Sequence, residues 1–97
     1  VSDALSFLER EVSSTLAEYA HGLRLSFPEG VSGGPTDFVV TDDRARLEIQ
    51  LEPGPDRVIA LMRLPTLTAR LRFTGGTQEE RKALLKRMDL AMRRGGG

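Results

Sequence analysis

Val1, Leu5, Leu8, Val12, Leu16 and Tyr19 recur at intervals of three and four residues, the repeat that lines one face of a helix with 3.6 residues per turn. The pattern predicts an amphipathic helix over residues 2–21, capped by Ser2 or Asp3 and closed by Gly22. Glu9, Glu11 and Glu18 make its remaining surface acidic, and Phe7 falls outside the main stripe. The pattern then changes to a period of two, the signature of half-buried strands. Leu23, Leu25 and Phe27 alternate with polar residues, which predicts a strand over 22–27 ended by Pro28. Gly30, Gly33, Gly34 and Pro35 mark a loop, followed by a short strand over 37–41 and an Asp42-Asp43 turn. Leu47, Ile49 and Leu51 alternate with Glu48, Gln50 and Glu52, so 45–52 reads as the clearest strand of the chain.

Pro53-Gly54-Pro55-Asp56 is a turn, because proline fixes φ and glycine admits positive φ. Residues 57–64 are apolar on both faces, with Val58, Ala60, Met62 and Leu64 on one side and Ile59 and Leu61 on the other. Such a strand is central in a sheet or meets a second layer or a second chain. The alternation resumes out of phase over 66–73 after Pro65, which fits a tight turn at Pro65-Thr66 or a bulge in one bent strand. Thr77 and Glu80 form a T-x-x-E capping box for a helix over 77–94, whose stripe is Leu84, Leu85, Met88, Ala91 and Met92. Residues 95–97 form a tail. The predicted fold class is α+β: an N-terminal helix, an antiparallel sheet of four to five strands and a C-terminal helix, packed as a two-layer sandwich.

Composition changes this picture little, and charge changes it more. The 97 residues support one core and a single domain, 1–97. No apolar run approaches a membrane span, and the lack of cysteine excludes disulfides and thiolate sites and suits the cytoplasm. Only two of the 14 basic residues are lysine, which with the Ala, Leu and Gly bias reads as bacterial, GC-rich codon usage. The formal charge of zero conceals two opposed halves. Residues 1–56 carry four arginines against eleven carboxylates, and residues 57–97 carry ten basic residues against three acids, −7 followed by +7. Such asymmetry points to a polar partner or to internal pairing.

Candidate chemistry is sparse. One histidine, His21, and no cysteine exclude Cys/His nucleophilic catalysis, and His21 at a helix end is electrostatically at home without any function. Asp37, Asp42 and Asp43 cluster at one hairpin but lack calcium-loop spacing. The Gly30–Gly34 loop lacks the lysine and the following helix of a phosphate-binding loop. The sequence therefore predicts no enzyme, no metal and no cofactor. Arg70, Arg72, Arg81, Lys82, Lys86, Arg87, Arg93 and Arg94 form a candidate polyanion-binding set for RNA or DNA. A helix–strands–helix order is also that of double-stranded-RNA-binding domains, a similarity of topology without their basic motif. Pairing of these cations with Glu48 and Glu52 is the favoured alternative. If both helices cover one sheet face, Ile59 and Leu61 lie open on the other and form a candidate dimer interface. The expectation is a non-catalytic interaction or adaptor protein that forms a homodimer; the alternative is a nucleic-acid-binding module using the basic last helix.

Overall fold

A computed structural model describes residues 5–95, with the side chains of 93–95 excepted. The elements are β1 (Phe7–Val12), α1 (Leu16–Ser26), β2 (Val31–Gly33), β3 (Asp37–Asp42), β4 (Ala45–Pro53), β5 (Arg57–Ile59), β6 (Met62–Leu64), β7 (Leu67–Gly75) and α2 (Gln78–Gly95). Five strands pair antiparallel in the order β1-β7-β4-β3-β2, and β5 and β6 form a separate two-stranded hairpin. Two helices on an antiparallel five-stranded sheet make the fold α+β.

The alternation read from the sequence places the core. Ala45, Leu47, Ile49 and Leu51 of β4 and Leu67, Ala69, Leu71 and Phe73 of β7 are buried on one face, with Phe38 and Val40 of β3 beside them. Tyr19, Leu23 and Phe27 at the i, i+4 spacing of α1, and Leu84 and Met88 of α2, complete the same cluster. Each of these larger apolar side chains contributes about 1.5–3 kcal/mol by leaving water. The two helices meet closely at Gly22, where an added Cβ would lie 3.1 Å from Met92 Cγ.

Several sequence expectations are corrected. The helix expected over 2–21 is a strand, a break and a helix: β1 ends at Val12 and α1 starts at Leu16. Leu8 and Val12 are four apart, which puts them on one face of a strand as well as of a helix, so their spacing does not separate the two. Arg10 occupies the inward phase between them and hides the period of two. The true N-cap of α1 is Thr15, whose hydroxyl accepts from Glu18 N while Glu18 Oε1 accepts from Thr15 N. The proposed caps Ser2 and Asp3 lie outside the described residues, as do residues 96 and 97 of the tail.

The strand expected over 22–27 is the rest of α1, because Leu25 points outward while Leu23, Ser26 and Phe27 are buried at helical spacing. The loop after Pro28 contains the short strand β2, paired with β3. The strand expected over 57–64 is broken into β5 and β6 by a turn at Ala60-Leu61, and the turn expected at Pro65-Thr66 is absent from that role. Ala60 takes φ 55°, a conformation that favours glycine, so the sequence carries no turn residue to announce it. Among the described residues the element order thus begins with a strand, unlike the helix–strands–helix order of the double-stranded-RNA-binding domains. The second helix matches its capping box: Glu80 N donates to Thr77 Oγ1 at 3.1 Å and Thr77 N to Glu80 Oε1 at 2.7 Å.

Candidate docking surface: an apolar hairpin and a neighbouring cleft

The hairpin β5–β6 continues the paired strands β4 and β7 beyond the edge of the sheet. Pro53 and Leu67 are the last pair within the sheet, and Arg57 and Leu64 the first pair of the hairpin. Its base is held by Gly54 N donating to Thr66 O at 3.0 Å and by Thr66 Oγ1 donating to Pro55 O at 2.9 Å. An added Cβ at Gly54 would stand 2.9 Å from Thr66 Oγ1, so glycine permits this close approach. Ser13 Oγ donates to Pro65 O at 3.2 Å, and Arg57 reaches Glu11 at 2.6 Å, tying the base to the end of β1.

Beyond that base the side chains are apolar and open. Val58, Ile59 and Met62 are each at least half exposed, and Leu61 at the tip is fully exposed. The cross-strand pair Ile59–Met62 places two of these on one face of the hairpin, while Val58 pairs with Arg63 on the other. Ile59 and Leu61, the two interface residues named from sequence, therefore come together, on a projecting hairpin rather than on the outer sheet face. Val58, Met62 and Arg63 belong to the same surface. Their signal was an apolar run fenced by Arg57 and Arg63 with no covering element in sequence.

Beside the hairpin base, β1, α1 and α2 enclose a cleft of about 570 Å³. Val12, Leu25 and Met92 supply its apolar wall, and Ser13, Ser14, Glu18 and His21 lie around it. Arg10 and Asp89 form a partly buried ion pair across it at 2.8 Å. Tyr19 packs below, and burial pushes its phenol up to about 12, with Asp89 adding to the rise and Arg10 opposing it. A phenol held neutral at ordinary pH supplies packing and a hydroxyl rather than an acid–base group. No local pattern in the sequence announces this cleft, since Arg10 and Asp89 are 79 residues apart.

Of the eight basic residues named from sequence, the six whose side chains are described are not gathered on one surface. Arg70 and Arg72 lie on the outer face of the sheet, away from the helices. Arg70 contacts Glu9 at 2.8 Å and Glu52 at 3.0 Å, so acidic and basic segments do meet within the chain. Arg81 turns inward and donates to the carbonyls of Gly75, Gly76 and Leu5, fastening the end of β7 to the chain before β1. Arg87 pairs with Asp42 at 3.1 Å and lies 4.8 Å from the Phe27 ring centroid. Lys82 and Lys86 are exposed on α2 and take part in none of the ion pairs among the described residues. The side chains of Arg93 and Arg94 lie outside the described residues.

Among the described residues, no three or more His, Asp or Glu side chains converge as metal ligands, and no helix is long and apolar enough to cross a membrane. Comparison of the chain with protein-family models, with curated proteins and with solved structures finds no match.

Proposed function

We propose that this chain is a non-catalytic interaction protein that associates with itself through the β5–β6 hairpin, as a homodimeric adaptor. The observation that carries the reading is Leu61, fully exposed at the tip of a stapled hairpin with Val58, Ile59 and Met62 open around it. Contiguous apolar surface of this kind marks an interface rather than a solvated loop. The hairpin is also fixed at its base by hydrogen bonds, so little order has to be gained on binding. A twofold pair is the simplest closed assembly for such a surface. A chain without cysteine needs no oxidising compartment to fold, and the proposed setting is the cytoplasm.

Light scattering at tens of micromolar tests the reading. The expected result is a dimer that Ile59→Asp or Leu61→Asp converts to a folded monomer. A monomeric native chain at that concentration overturns it.

A further inference from the structure

The open apolar hairpin and the cleft with an apolar wall lie on the same molecule. Resting on the proposed self-association, we infer that the hairpin tip of one copy seats in the cleft between β1, α1 and α2 of a second copy, and reciprocally.

Three observations support this occupant. First, donor and acceptor share one end of the molecule. Val12, the last residue of β1, pairs with Leu67, the first of β7, so the hairpin leaves the sheet where β1 runs into the cleft. Leu61 lies six residues from Leu67, at most roughly 20 Å at the rise of an extended strand. The hairpin's main contacts are between its own two strands, which leaves its tip open, and a twofold axis at this end would present each tip to the other copy's cleft. The exchange closes on two copies and leaves no unsatisfied end to propagate a fibre.

Second, the surfaces are complementary in charge and polarity. Val12, Leu25 and Met92 offer an apolar wall to Leu61 and Met62. On the hairpin, Arg63 is exposed and has no ion pair among the described residues, and on the cleft Glu18 is exposed with only Oε1 engaged, by Thr15 N. Arg10 already answers Asp89, which leaves Glu18 as the acidic group facing an incoming arginine.

Third, reciprocal exchange covers more apolar surface than the alternative: it covers two tips and two cleft walls, where tip-to-tip contact covers the two tips alone.

Cysteine trapping decides the matter, because the native chain has no thiol to confuse the result. The double variant Leu61→Cys/Leu25→Cys is expected to give a covalent dimer with a short bis-maleimide at low micromolar protein, and each single variant is not. In parallel, Leu25→Glu, at a position already exposed, is expected to raise the dimer Kd about tenfold or more, as Leu61→Asp does. Far-UV circular dichroism checks that the variants fold. A dimer that resists Leu25→Glu while Leu61→Cys alone cross-links overturns the cleft and leaves the hairpin as a tip-to-tip interface. A native monomer overturns both readings, including one that instead binds anionic vesicles through the hairpin.

Discussion

Between Ala45 and Pro53, and again from Leu67 to Gly75, alternate apolar side chains of β4 and β7 are buried. Farther along the same two paths, Val58, Ile59, Leu61 and Met62 stand open on β5, β6 and their turn. The apolar residues of the two stretches are of the same kinds, although they alternate with polar ones in the sheet and run together in the hairpin. They differ in what lies above them, since Tyr19, Leu23, Phe27, Leu84 and Met88 of the helices all belong to the cluster over the five-stranded sheet. An apolar strand therefore requires a cover without specifying whose. Over the sheet the cover is this chain, and over the hairpin it is the partner proposed above.

The contrast breaks most visibly at matched leucines. Leu71 is wholly buried in β7 and Leu61 wholly exposed at the tip. Leu71→Ala should cost about 2–5 kcal/mol in urea unfolding, from lost transfer energy and the cavity left behind. Leu61→Ala, at a concentration low enough for the monomer, should stay within about 0.5 kcal/mol of the native chain. Equal losses at the two sites would mean that the hairpin packs within its own chain.

How much of this was legible follows from the same contrast. The strands β3, β4 and β7 and the helix α2 announced themselves because one face of each is covered and the other solvated, which prints a clean period on the sequence. The first strand did not, because a spacing of four satisfies both periods and Arg10 sits at an inward phase, where it reaches Asp89. A signal was present nonetheless: Thr15 and Glu18 form the same T-x-x-E motif as Thr77 and Glu80. The hairpin was legible as a doubly apolar run but not as a turn, since Ala60 adopts a glycine-like φ without being glycine. The cleft had no local signature at all, being assembled from β1, α1 and α2. The reversal of charge between the two halves of the chain was legible, and its meaning was not. Arg70 between Glu9 and Glu52, Arg57 on Glu11 and Arg87 on Asp42 show that part of it cancels within the chain.

The covering layer itself is sharpened by pH. Tyr19 is buried beneath the cleft with its phenol pushed up to about 12 from the ordinary 10. On raising the pH, the unfolded chain ionises Tyr19 first, near pH 10, while the folded chain holds the proton. The stabilisation is whole below pH 10 and is lost as the pH climbs through 12. The expected loss is on the order of 2 kcal/mol across that window. Urea unfolding followed between pH 9 and 12 should show the decline in the native chain and a shallower one in Tyr19→Phe. Parallel curves for the two proteins would place the Tyr19 ring outside the apolar layer.

The smallest expected effect lies at the uncovered end. Ala60 turns the hairpin at φ 55°, where its Cβ crowds the backbone and costs about 1–2 kcal/mol. Ala60→Gly removes that strain but gives the unfolded chain more freedom, which takes back about 0.5–1 kcal/mol. The net gain should be about 0.5 kcal/mol, and it should appear locally, as slower amide hydrogen exchange in residues 57–64, with little change in global unfolding. A firmer turn should also hold Leu61 and Met62 in place and tighten self-association in proportion. Faster exchange, or weaker association despite slower exchange, would show that the hairpin must rearrange to bind. In that case the tip would be a flexible segment ordered by its partner, and the difference between the two stretches of strand would be one of order as well as of cover.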